Sequence, residues 1–244
     1  MKICFLVLSA PYEPWKTLER GPRKTWLGEV SKDNRHRYFF YYGKKVNVLP
    51  EVQNNFLFRF PSSKIWEADH RPVRETRFVG RNEIMAHVPD RWDTMAKKFF
   101  SAVELLLRTV DFDYLIKVNT TCYVNLTYVE NFLSTPSDYF GAISKDKPFP
   151  AGWAAGYSRN ALINLLQSVK LGTNGRIRGF DDEIIGLMMN SLGYSVASVN
   201  SALFCDSNDF NQKKFGFIRI KSTSNRVNRD VEIFKALHYK SQRD

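Results

Sequence analysis

The chain has 244 residues, enough for one large domain or two small ones with a sizeable core. Hydrophobic residues make up 43% and aromatic residues 14%, which excludes a disordered chain. A formal net charge of +11 (sequence pI ≈ 9.6) implies anionic partners, and the absence of any RNA-reading motif, zinc-finger spacing or heptad run turns that expectation from nucleic acid toward a diphosphate.

Cys4, Cys122 and Cys205 are odd in number and far apart, which argues for a reducing compartment and against a disulfide framework. None has metal-ligand spacing. No apolar run is long enough to span a bilayer. Met1 to Leu8 has too short an apolar core for a signal peptide and no small-residue cleavage site after it. Ile3 to Leu8 therefore predicts a buried parallel strand, and Ser9-Ala10-Pro11 a ligand-side loop.

Leu18 to Leu27 follows, punctuated by Gly21-Pro22, with a short helix through Trp26. Arg20 and Arg23 are candidates to hold an anion, the alternative being a solvated basic face. Tyr38 to Gly43, an aromatic run closed by glycine, predicts a second core strand. Val46 to Pro61 suggests an irregular strand, and Ser62 to Arg81, with Arg71, Arg74, Arg77 and Arg81, a loop. Pro89-Asp90 opens the best helical pattern, with Asp90 as N-cap. Trp92, Met95, Ala96, Phe99, Phe100, Val103, Leu106, Leu107 and Val110 form its apolar stripe. Tyr114 to Val118 returns as a strand, which predicts a right-handed parallel crossover.

That strand leads into Asn119-Thr120-Thr121. Polar residues at the carboxyl end of a buried strand are where open α/β sheets bind ligands; an ordinary turn is the alternative. Thr127 to Glu130 reads as a capping box for a helix to Leu133. Tyr139 to Ile143 reads as a strand, and Phe149 to Tyr157 as a small-residue loop that a ligand can approach closely. Ser158 caps a helix through Val169. Arg176 to Phe180 is a polar loop, and Asp181-Asp182-Glu183 starts a helix that Gly193 ends. Ser195 to Val199 predicts a late strand, and the chain after Phe204 is basic. With no repeat, low-complexity segment or linker, residues 1–244 are expected to form a single domain.

Five stretches carry a resemblance. They are Arg20, Pro22, Arg23, Thr25 and Trp26; Asp90, Trp92, Thr94, Met95, Ala96 and Lys98; Lys117 with Tyr123, Val124 and Asn125; Ala154-Ala155-Gly156-Tyr157; and Asp181-Asp182-Glu183-Ile184-Ile185-Gly186. In this order they resemble the inverting β-1,3-galactosyltransferase and Fringe-like glycosyltransferase superfamily. Its signatures are R-x-x-I-R-x-T-W, D-x-Y-x-N-L-T-x-K, K-x-D-D-D-x-F-V-N, a G-x-G-Y-like loop, and E-D-V-x-x-G or D-D-x-T-x-G. The resemblance covers Met1 to about Val199. It implies a GT-A (Rossmann-like) α/β fold with a mixed, mostly parallel sheet flanked by helices. It also implies a nucleotide-sugar-binding half, 1–125, and an acceptor-binding half, 126–244.

The activity implied is sugar transfer from a nucleotide-sugar donor, UDP-linked, to a glycan hydroxyl. By motif position Asp182 is the first choice for the base and Asp181 the second; helix capping alone is the alternative for both. Donor-binding candidates are Ser9, Ala10, Arg20, Arg23, Lys98, Asn119, Thr120, Thr121, His238 and Lys240. Acceptor-binding candidates are Trp153, Ala155, Gly156 and Tyr157. The family's three aspartates are replaced by Asn119, Thr120 and Thr121. An amide and two hydroxyls are poor ligands for a hard cation, so no metal residue is assigned and activity is expected to survive a chelator; if the Mn²⁺ or Mg²⁺ of the family does bind, Asp206 and Asp209 are the candidate ligands. Without a metal, Lys, Arg or a helix N-terminus must offset the leaving-group charge. Asn119-Thr120-Thr121 and Asn125-Leu126-Thr127 also spell glycosylation sequons, which a reducing compartment leaves unused. A non-catalytic glycan- or nucleotide-binding relative and a basic nucleic-acid-binding α/β domain are the competing functions. Lack of a membrane anchor suggests a cytoplasmic, bacterial or virus-encoded enzyme; the sequence does not address oligomeric state.

Overall fold

The apolar run at the start of the chain forms β1 (Ile3–Leu8), the strand around which the main sheet is laid. The computed structural model describes residues 1–45, 69–91, 94–143, 147–172, 181–204, 211–222 and 226–243. The expected strand Val46 to Pro61, Trp92, the loop Arg176 to Phe180 and Cys205 lie wholly or mainly outside them.

β1 pairs in parallel with β2 (Arg37–Lys44) on one side and β5 (Tyr114–Asn119) on the other. Leu8 stands opposite both Tyr41 and Asn119, so the carboxyl ends of β1 and β5 come level while β2 runs on to Lys44. β4 (Glu83–Pro89) continues the parallel set beyond β2, and β3 (Arg77–Gly80) closes that edge as an antiparallel hairpin arm. Past β5 come β8 (Pro150–Ser158), antiparallel to it, then β7 (Tyr139–Ile143) and the two-residue β9 (Ala197–Ser198). The eight-stranded order is β3-β4-β2-β1-β5-β8-β7-β9, mixed and with its parallel strands central. A second sheet joins β10 (Ser201–Phe204), β11 (Phe217–Ile220) and β6 (Cys122–Val124).

Helices cover both faces. α4 (Met95–Thr109), α6 (Arg159–Leu171) and α7 (Asp181–Ser191) pack on one. α3 (Trp26–Lys32), α5 (Leu126–Phe132), α8 (Arg226–Arg243) and the small sheet lie on the other. Two one-turn helices, α1 (Trp15–Leu18) and α2 (Arg20–Arg23), run past the carboxyl end of β1. In α4 the expected stripe is the buried face: Phe99, Phe100 and Leu106 are fully enclosed and Val103 nearly so. Each such side chain contributes about 1.5–3 kcal/mol relative to exposure.

Several expectations are corrected. Asp90 does not cap α4; the helix begins at Met95 after Thr94, and Asp90 instead accepts from Gly43 N (2.9 Å) and Lys98 Nζ (2.6 Å). α5 is capped by Asn125, whose Oδ1 accepts from Tyr128 N at 3.2 Å, so Thr127 lies inside the helix. Arg77 belongs to a strand rather than a loop, and β4 stands where no strand was expected. The small-residue loop from Phe149 to Tyr157 is β8, hydrogen-bonded on both sides. Its glycine is small for a packing reason: a Cβ on Gly156 would sit 2.1 Å from the Phe140 ring. Ser158, by contrast, caps α6 as expected, accepting from Ala161 N at 3.2 Å, and Gly172 ends it in the left-handed region (φ 67°).

Candidate active site

The antiparallel run of β8 decides what meets at the carboxyl edge of the parallel strands. Ala154 stands opposite Val118, so Gly152 and Trp153 pass the end of β5 beside Asn119. Ser9 follows β1 at the same level, its N–H extending the ladder to Tyr41 O at 3.0 Å. Ser9, Ala10, Asn119, Thr120 and Thr121 thus lie at one edge of the sheet, and Asp182 joins them through Gly152, whose N–H donates to Asp182 Oδ2 at 3.1 Å.

The turn is built by its own side chains. Asn119 Oδ1 accepts from Thr121 N (3.1 Å) and Thr121 Oγ1 (2.9 Å), a local pattern that Asn favours. Thr121 O accepts from Ile220 N at 2.8 Å, tying the turn to β11. Thr120 is completely buried and its Oγ1 has no partner among the described residues. An unpaired buried hydroxyl costs about 1–3 kcal/mol.

The two acids at the head of α7 are not equivalent. Asp181 is buried and bonded to the ammonium of Lys117, itself 1% exposed on β5. Lys117 also lies over the Phe99 ring at 5.8 Å. Tyr41 and Tyr157 are buried nearby, and burial pushes both phenols well above their ordinary values, helped next by the Asp181 charge at Tyr41 and by Tyr139, then Asp181, at Tyr157. Tyr41 Oη has no partner among the described residues. Asp182 is half-buried, and among the described residues its partner is the Gly152 N–H. A Cβ on Gly152 would lie 3.2 Å from Asp182 Cβ and Cγ, so glycine leaves the carboxylate its place. Asp182 is therefore the less committed of the two candidate bases.

The cations are more fully spent than their number suggests. Arg23 donates to Glu19 Oε2 through Nε (3.2 Å) and Nη2 (2.9 Å), and to Glu83 Oε1 at 3.2 Å. Glu19, 4% exposed, also takes Ser9 Oγ (2.7 Å) and Lys16 Nζ (3.1 Å). Tyr42 donates to Glu83 at 2.8 Å; burial first, and that bond second, raise its phenol. Lys98 is buried against Asp90. Arg20 is exposed. His238 sits on α8 against Tyr123 Oη (3.5 Å) and Glu29 (3.8 Å), on the opposite face of the sheet from Lys117, and Lys240 is exposed beyond it.

Of the acceptor candidates, Trp153 is half-buried beside the turn. Ala155, Gly156 and Tyr157 lie inside the sheet, with Tyr157 stacked on Tyr139 at 5.4 Å and 2% exposed, so the structure places these three in the core. Lys117 and Gly152 were missed. A lysine between Ile116 and Val118 in a buried strand demands a counter-ion, and that signal was available. The backbone donor at Gly152 carries no sequence signal.

Asn119 Oδ1 is occupied twice within the turn, so the turn does not fit a hard divalent cation, which wants carboxylate oxygens. Asp206 and Asp209 lie outside the described residues. Among the described residues Asp33, His36 and Glu130 converge. His36 Nδ1 accepts from Ile3 N at 3.1 Å, so Nε2 carries the proton and donates to Glu130 at 3.0 Å; it has no lone pair for a metal. Arg35 bridges Asp33 (2.6 Å) and Glu130 (3.1 Å), completing a clasp rather than an ion site.

No family model matches the chain, and no curated protein matches it. Among solved structures it is similar to galactosyltransferase LgtC in complex with donor and acceptor sugar analogues, at 10% identity and TM-score 0.48, covering 98% of this chain and 96% of that one. It is also similar to a glycosyltransferase involved in glycosylation of the major capsid of PBCV-1, at 11% identity and TM-score 0.46, covering 95% and 99%. Likenesses this distant carry no functional argument.

Proposed function

We propose that the chain is an inverting glycosyltransferase of GT-A type that moves a sugar from a UDP-linked donor to a glycan hydroxyl, with Asp182 as base. The observation that carries this is the half-buried Asp182 carboxylate, held by one backbone N–H level with the Asn119–Thr121 turn. The five ordered motif resemblances support it. In this reading the donor lies across Ser9, Ala10 and the turn, in the half formed by residues 1–125. The acceptor enters from residues 126–244, beside Trp153.

The acceptor oxygen attacks the anomeric carbon as the bond to the diphosphate oxygen breaks. The hydroxyl proton passes to Asp182, and the nucleoside diphosphate leaves with the bonding electrons. A carboxylate in hydrogen-bond reach of the attacking hydroxyl supplies about 10²–10⁴ in rate. Arg20, exposed on the short helix past the end of β1, is the cation proposed to face the leaving diphosphate; Arg23 and Lys98 are neutralised by acids, and His238 stands by Glu29 across the sheet. No step is routed through a metal, because the turn lacks the donor set for one. The buried thiols Cys4 and Cys122 are in keeping with a reducing compartment.

Neutralisation of Arg23 and Lys98 also favours a second reading, a non-catalytic nucleotide- or glycan-binding relative. Calorimetry and donor hydrolysis with a panel of nucleotide sugars separate the two. Binding with turnover that survives a chelator is expected. Binding without turnover selects the second reading, and no binding at millimolar ligand removes the enzyme reading.

A further inference from the structure

We propose that Lys117 is a positioning residue for the Asp182 carboxylate, acting through Asp181 and coupling the Asn119–Thr121 turn to the base; this rests on the glycosyltransferase reading above. The Lys117 ammonium is sealed from solvent and bonded to Asp181, so it does not reach a donor phosphate. Asp181 is the first residue of α7, and its side chain fastens that first turn to β5. The next residue, Asp182, is fastened to the adjacent strand through Gly152 N–H. Two hydrogen-bonded strands, with Lys117 opposite Ala155, thus hold two consecutive residues of one helix.

Lys117 and Asn119 are two residues apart on β5, so their side chains leave the same face about 7 Å apart along the strand. The turn and the base therefore share one rigid reference. A buried ion pair is a poor source of stability compared with apolar packing of the same volume, whereas a direct bond between a strand and a helix start fixes geometry. The pair also explains why two acids stand together: the first is the anchor and the second is left open.

The test is the charge-balanced double variant Lys117→Met with Asp181→Leu, which leaves no unpaired buried charge. Three quantities are read: kcat against KM, donor affinity by calorimetry, and the Gly152 amide resonance with and without Asp182→Asn. The expected result is a kcat lower by about 10–100-fold, the size of a misplacement near 1 Å, with donor affinity little changed. In the wild-type background Asp182→Asn displaces the Gly152 amide resonance; in the double variant that displacement is lost. A folded double variant with wild-type kcat and the full displacement overturns the proposal. If the apolar pair fails to fold, Lys117→Gln with Asp181→Asn replaces it and is read by the same outcomes. If the wild-type protein neither binds nor hydrolyses any nucleotide sugar, the glycosyltransferase reading falls separately. The amide measurement then decides alone whether the Lys117–Asp181 pair positions Asp182.

Discussion

The two flanks of the sheet's carboxyl edge are both rich in charge and use it differently. Beside α1 and α2, Glu19 and Glu83 absorb Lys16, Arg23, Ser9 and Tyr42, and acids and cations cancel within one cluster. At the head of α7 cancellation stops one residue short: among the described residues Asp181 has Lys117, and Asp182 has a backbone donor alone. The density of charge does not locate chemistry here; the carboxylate left over does.

The largest expected effect breaks that contrast at its centre. Asp182→Asn should lower turnover by about 10²–10⁴ while donor affinity, measured by calorimetry, stays near wild type. Equal transfer by the variant would make both acids mere helix-start residues. Next, Lys98→Met leaves the Asp90 carboxylate buried without its cation, and the denaturant midpoint should fall by the equivalent of about 3–5 kcal/mol. Unchanged stability with weakened donor binding would return Lys98 to the donor site. Gly156→Ala sets a methyl into the Phe140 ring and should cost about 1–3 kcal/mol by overpacking, with acceptor KM unchanged in the folded fraction. A raised KM at full stability would instead restore that stretch as an acceptor loop.

The smallest effect concerns acid. The hydrogen bond from Arg35 is the main cause that holds the Asp33 carboxyl down to about 2. Its folded value lies below the unfolded one near 3.9, so the contribution is present above pH ~4 and is lost as pH falls toward 2. Solvent screening limits it to about 1 kcal/mol or less. Asp33→Asn should flatten that part of the stability–pH curve, and an unaltered slope would assign the acid sensitivity elsewhere.

Much of the fold was legible because burial writes a period into sequence. Ile3–Leu8, the stripe from Ala96 to Leu106, and Ser158 with α6 all read as they stand. β4 was missed although Ile84, Ala86 and Val88 alternate as buried positions, because Pro89-Asp90 imitated a helix start. Phe149 to Tyr157 misled in the other direction: Gly156 is small for the Phe140 ring and Gly152 for the Asp182 carboxylate, facts that belong to those neighbours and not to the stretch itself. At the site, sequence carried the types and order of the polar residues. It did not carry their pairing, so Arg23 and Lys98 looked available while Lys117 went unassigned. Partners that lie 64 positions apart, as Lys117 and Asp181 do, are a property of the assembled sheet.

The central place of β1 has a consequence for how the protein is made. Its first neighbour, β2, begins at Arg37, but its second, β5, begins at Tyr114, opposite Ile3. At translation rates of about 5–20 residues per second, the nascent chain carries an all-apolar strand with one open side for roughly 4–15 s. Closing so long a loop is also a slow, late contact. The strand that anchors the finished sheet is thus, during synthesis, the segment most exposed to the wrong partner, and the one a chaperone would be expected to shield.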